Sequence, residues 1–158
     1  MKMDKLTETI RLLIRNLFPS KTVDGIIAQG KPIIKKEGIF INNKAIDIHE
    51  YFISISTDDP SITGDDEYHE QWIAWYKGGI NLIKYGYDAL ITYQDAIDKY
   101  IDDAEIHRWY MTHPEYVEQR PQVGDYWHHK KWHDRWLAVA DLMRRLEEER
   151  GNSNITNA

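Results

Sequence analysis

Leu6, Ile10, Leu13, Ile14 and Leu17 recur three and four positions apart. That spacing lines one face of a helix, so residues 4–18 read as an amphipathic helix ended by Pro19 and Ser20. Ser20 or Thr22 can cap a short second helix that stops at Gly30. The pattern changes over KPIIKKEGIFINNKAIDIHEYFISIS, residues 31–56, where isoleucines alternate with other residues and Glu37-Gly38 and Asn42-Asn43 are turn signals. Alternation of this kind predicts a few short strands, with a helix over 44–52 as the competing reading.

STDDPSITGDD, residues 56–66, reads as a polar loop. Beyond it Trp72, Trp75, Gly79, Ile83, Leu90, Tyr93, Ile97 and Tyr100 form a long apolar stripe. Gly86 followed by a capping Asp88 splits this stripe into helices over 66–85 and 88–111. Thr112 before Pro114 marks another helix start, RPQVGD is a turn, and Asp125 caps a last helix over 126–149. No internal repeat stands out. The expected fold is α+β and predominantly helical: a small N-terminal helix-and-strand unit packed on a bundle of about three longer helices. Residues 1–150 form one domain (1–56 helix plus short strands, 57–150 helical), and GNSNITNA, 151–158, is a polar tail.

Composition narrows the class. A chain of 158 residues with 42% hydrophobic and 12% aromatic content can bury a real core. It has no cysteine, which removes disulfides, thiolate ligands and a cysteine nucleophile. No apolar run approaches the ~20 residues that span a bilayer. The N-terminal stretch is too charged for a signal peptide, so a cytoplasmic location is expected.

Charge adds an asymmetry. Residues 1–56 carry 9 basic and 6 acidic side chains, residues 57–125 carry 5 and 15, and residues 126–158 carry 6 and 5. The middle of the chain is strongly anionic. Asp95, Asp98, Asp102 and Glu105 share one helix face, Asp88 lies one heptad earlier, and Asp65, Asp66, Glu67 and Glu70 open the preceding helix. Such a surface repels nucleic acid and suits a protein partner with a basic surface. The leading expectation is therefore an interaction protein, needing no cofactor. It would be an inhibitor or accessory factor of a nucleic-acid-handling machine, of the phage or mobile-element kind. The competing reading of these carboxylates is a solvated helix face. DEYHE and DAID also resemble the carboxylate helices of all-α nucleotide pyrophosphohydrolases, although Asp95 stands where that family has Glu.

HHKKWHDRW, residues 128–136, carries the second chemistry. On a helix His129 and His133 are one turn apart, and Asp103 and His107 share that spacing on the preceding helix. Four such ligands from facing helices would hold zinc or another divalent metal and support hydrolysis, with His69 and His113 as spare candidates. The plainer alternative is a solvated face of histidines and cations opposite a buried stripe of Trp132, Trp136, Val139, Met143 and Leu146.

LFPSKTVDGIIAQG followed by GIFINNKAID is similar to the helix–turn–strand core of S4-type RNA-binding domains. It departs from that family in the insertion KPIIKKE between Gly30 and Gly38. Val23, Asp24 and Gly25 also stand where the family places basic residues. The resemblance implies a local shape and, as a third functional reading, weak RNA binding through residues 13–47.

Overall fold

The computed structural model describes residues 19–55 and 60–156, together with residues 5, 6, 9, 10 and 13. The helix expected over 4–18 therefore lies largely outside the described residues. The elements are α1 (Pro19–Ala28), α2 (Lys35–Ile55), α3 (Pro60–Thr63), α4 (Asp66–Tyr85), α5 (Tyr93–Met111), α6 (Pro114–Gln119), a 3₁₀ turn (Pro121–Val123) and α7 (Tyr126–Thr156). Among the described residues there is no strand.

This corrects the α+β expectation. The stretch read as strands is the long helix α2. Its buried positions are Glu37, Gly38, Ile41, Asn42, Ala45 and Ile46, a helical period that the alternating isoleucines obscure. The two supposed turns serve the helix. Glu37 accepts the Ile34 amide at 2.9 Å and so caps the helix start. Buried Asn42 donates to the Gly38 carbonyl at 2.8 Å and accepts the Tyr100 hydroxyl at 2.7 Å. Tertiary partners thus override the β-branched preference. With GIFINNKAID helical, the basis of the S4 resemblance is gone.

Other boundaries moved less. α4 spans the residues expected, with Asp65 accepting the Tyr68 amide and Gly86 ending the helix at a positive φ of 71°. The next helix starts at Tyr93, not 88, because Thr92 and Asp95 form a capping box. Asp88 instead ties the preceding loop, accepting from Asn81 and from the Leu90 and Ile91 amides. His113, not Thr112, sits at the N-cap of α6, and makes no capping bond there. Asp125 caps α7 as expected, but the helix runs through most of the stretch read as a tail.

The core joins two helix pairs, α2 with α4 and α5 with α7, and the pairs pack on each other through α2–α7 and α4–α5 contacts. α1 docks on α2 and α7, where Asp24 accepts both arms of the Arg135 guanidinium at 2.8 and 2.9 Å.

The two pairs are copies of one design. His49 and His107 occupy the same place near the ends of α2 and α5, each followed three residues later by an aromatic, Phe52 or Tyr110. GDDEYHEQW and GDYWHHKKW open α4 and α7, matching Gly64 with Gly124, Asp65 with Asp125, His69 with His129 and Trp72 with Trp132. The cross-contacts follow the same relation. Asn42 and Tyr100 are equivalent positions and bond to each other; Tyr76 and Trp136 are equivalent and stack. A pseudo-twofold axis runs between the pairs, so the absence of a repeat read from the sequence is corrected.

A histidine cavity on the pseudo-twofold axis

α2 and α5 finish, and α4 and α7 begin, at the same end of the bundle. There a cavity of about 870 Å³ opens, lined in part by the α3 turn and the 3₁₀ turn, which touch each other. Aromatic side chains wall it, among them Phe52, Tyr68, Trp72, Tyr110, Trp132 and Trp136, and Lys44, Lys131 and Arg135 also reach it.

Histidines from all four long helices meet here. His49 and His69 bring their Nδ1 atoms to 2.7 Å, and His107 and His129 bring theirs to 2.8 Å. His69 and His129 are both only 2% exposed. Each lies flat against the aromatic of its own half: Phe52 on His69 at 5.2 Å between centroids, Tyr110 on His129 at 4.4 Å. Each has a buried Nε2 with no hydrogen-bond partner. The backbone of Thr63–Gly64 lies against His69, and that of Val123–Gly124 against His129, and both favour a proton on the ring. Gly64 and Gly124 take φ of 92° and 95°, which suits glycine, and a Cβ on either would strike Tyr68 or His128.

The symmetry breaks between the pairs. Asp103 is 5% exposed, and its equivalent in the first half is Ala45. Tyr76 donates its hydroxyl to Asp103 at 2.6 Å, while its equivalent, Trp136, has none to give. The other Asp103 oxygen lies 3.5 Å from His107 Nε2, and His49 Nε2 lies 3.4 Å from the Tyr76 hydroxyl. A polar chain thus crosses the axis from His69 through His49, Tyr76, Asp103 and His107 to His129.

Burial sets the protonation. Desolvation pushes the Asp103 carboxyl up to about 7, against the Tyr76 hydrogen bond, which lowers it. Desolvation first, and neighbouring histidines second, bring His107 down to about 3 and His49 to about 4. His128, His69 and His129 are lowered too, again mainly by burial.

Of the expected metal ligands, Asp103, His107 and His129 do come together. His133 does not line the cavity, and its Nδ1 meets the adjacent Asp134 at 2.9 Å. Among the described residues no group of three or more histidine or carboxylate side chains is arranged around a common metal position. His69, a spare candidate, belongs to the site; His113 stacks on Trp109 outside it. His49 and Tyr76 were not read as site residues, and the signal that points to His49 is its equivalence to His107. The histidines of HHKKWHDRW are not a solvated face, since His129 is buried and His128 lines the cavity.

The acidic residues lie elsewhere. Asp65, Asp66, Glu67, Glu70, Asp98, Asp102 and Glu105 are exposed. Several have local work: Asp65 and Asp95 cap helices, and Asp98 accepts from Gln94. No described helix is long and apolar enough to cross a membrane. Comparison with known families, with curated proteins and with solved structures finds no match to any of them. Among the described residues, the fold and site define a helical bundle, built on a repeated helix pair, with a histidine-lined cavity at one end.

Proposed function

We propose that this chain is a small-molecule enzyme of the acid–base type, working in the histidine cavity. The observation that carries this reading is the convergence of His49, His69, His107 and His129 with Asp103 and Tyr76 on one aromatic-walled cavity. A concave apolar pocket with a few convergent polar groups is the usual form of a ligand site. Burial keeps the imidazoles neutral, so they can orient a ligand through hydrogen bonds, and Asp103, pushed up to about 7, is a buried acid placed to exchange a proton with it. Aromatic walls with Lys44 and Lys131 near the opening suit a planar substrate carrying an anionic group.

The test is a thermal-shift and proton-NMR screen of small aromatic carboxylates and phosphates. Ligands should raise the melting temperature and move histidine ring resonances. Their effect should vanish in His49→Phe, which fills the cavity. Ligands that bind this variant unchanged would sink the reading.

The protein-partner reading keeps one specific observation in its favour. Trp109 is 44% exposed and shares a shallow groove with Asp102, Glu105, Ile106 and Tyr110. Exposed tryptophan is enriched at interfaces. Under that reading, the pair Asp102→Lys and Glu105→Lys abolishes partner binding and leaves cavity ligands untouched.

A further inference from the structure

The hydrogens of the polar chain can be placed one by one. Tyr76 has a single hydroxyl hydrogen, and its 2.6 Å contact gives that hydrogen to Asp103. The phenol oxygen is then only an acceptor for His49 Nε2, and Asp103, when ionised, is likewise only an acceptor for His107 Nε2. His49 and His107 therefore carry their single ring hydrogen on Nε2, and the Nδ1 of each is left as a bare lone pair. His69 and His129 have a buried Nε2 with no hydrogen-bond partner.

Those lone pairs face the Nδ1 of His69 at 2.7 Å in one half and the Nδ1 of His129 at 2.8 Å in the other. Without metal, one hydrogen between the two Nδ1 atoms holds each pair together. A cation placed there takes the place of that hydrogen and binds both nitrogens at once, and the displaced hydrogen moves to the unpartnered Nε2 of His69 or His129.

We propose that His49 with His69, and His107 with His129, are two equivalent half-sites, each binding one transition-metal ion of the imidazole-preferring kind through Nδ1. The surroundings match what metal-bound histidines need, since the other ring nitrogen of such a ligand is normally held by a carboxylate, a carbonyl or water. Asp103 supplies that outer layer for His107 and Tyr76 for His49. Each pair offers two nitrogens, so the remaining positions open to water or a ligand from the cavity. With Zn–N bonds of ~2.0–2.1 Å in a tetrahedral site, donor atoms stand ~3.3 Å apart, so each pair must part by roughly half an ångström. The site differs from the one expected on sequence, because His133 has no part in it and Asp103 orients a ligand without touching the ion.

The proposal shares the cavity of the small-molecule reading but does not depend on it, and the experiment uses no organic ligand. Untagged protein, purified without a nickel column and stripped with chelator, is titrated with Zn²⁺ by calorimetry and with Co²⁺ by visible absorption. Two equivalents are expected, falling to one in His49→Gln, to one in His107→Gln and to none in the double variant. Zinc should also shift the Nδ1 resonances of all four histidines in long-range ¹H–¹⁵N spectra of the unsubstituted chain, a readout that stands if a variant fails to fold. No stoichiometric ion, binding indifferent to both substitutions, or unmoved Nδ1 resonances would each overturn the proposal. Metal binding without small-molecule hits would leave it standing and defeat only the enzyme reading; hits without metal binding would do the reverse.

Discussion

Tyr76 and Trp136 stack with ring centroids 5.0 Å apart and planes within 5°, and they hold the same position in the two halves of the chain. The stack is the floor between the two histidine pairs. Tyr76→Phe keeps the ring and removes the hydroxyl that buried Asp103 accepts. Such a loss costs ~1–3 kcal/mol. Trp136→Ala removes the stack itself and should cost more, ~3–5 kcal/mol, since it leaves a hole in the core. Urea unfolding followed by tryptophan fluorescence ranks the two. An equal or reversed order would mean the hydroxyl, not the stack, dominates.

A second prediction concerns Gly79, on the same axis. A Cβ built there overlaps the Tyr100 hydroxyl oxygen, so Gly79→Ala displaces the hydroxyl from Asn42. Overpacking of this kind costs ~1–3 kcal/mol. Tyr100→Phe alone strands the Asn42 oxygen but makes room for a methyl group. The double variant Gly79→Ala with Tyr100→Phe should therefore be more stable than the sum of the single effects implies. A double-mutant cycle by chemical denaturation reads this directly, and strict additivity would exclude the clash.

What could be read from the chain tracks what is local. α4 was legible to its ends because Asp65 and Gly86 act on their own neighbours, and Asp125 marked the start of α7 for the same reason. α2 was not, because Gly38 is selected by the Leu142 side chain lying against it, and Asn42 by a tyrosine fifty-eight residues on. The site divides along the same line. Asp103, His107 and His129 were found by helical spacing within each element. His133 misled because the spacing says nothing of Asp134 beside it. His49 and Tyr76 stayed hidden because their partners come from other helices. The repeat was obscured where the halves diverged, as at Ala45 against Asp103, and those divergent positions are where the polar chain lies.

α1 supplies a third prediction. Arg135 is 7% exposed and bonded through both arms to Asp24, whose side chain is 45% exposed. The carboxylate is partly screened by water, so the pair itself contributes little. Removing it by Asp24→Ala nonetheless leaves a guanidinium held in a mostly buried position over the Trp132 ring. A loss of ~1–2 kcal/mol is expected, with faster amide exchange confined to residues 23–28. Exchange that rises equally across α7 would show that Arg135, not the docking of α1, is what the bond secures.

The last prediction is the acid limb of stability, measured on chelator-treated protein. His49 titrates at about 4 and His107 at about 3 in the folded chain, against ~6.5 when unfolded. As pH falls below ~6.5 the unfolded chain takes up these protons first, so stability present above that value is lost towards pH ~4. His128, held down to about 4, adds in the same direction. Asp103 has the opposite sign. Its folded value of about 7 exceeds the unfolded ~3.9, so its contribution is present at low pH and fades as pH rises to about 7. Between pH ~4 and ~6.5 these histidines, with His69 and His129 lowered in the same sense, outweigh one carboxyl, and stability should rise with pH. Above ~6.5 Asp103 alone acts, and stability should level and then dip slightly. Urea midpoints across this range test both limbs. Asp103→Asn should remove the dip and leave the acid limb, while His49→Gln with His107→Gln should make the acid limb shallower and leave the dip. An acid limb unchanged in the histidine variant would assign it to other groups.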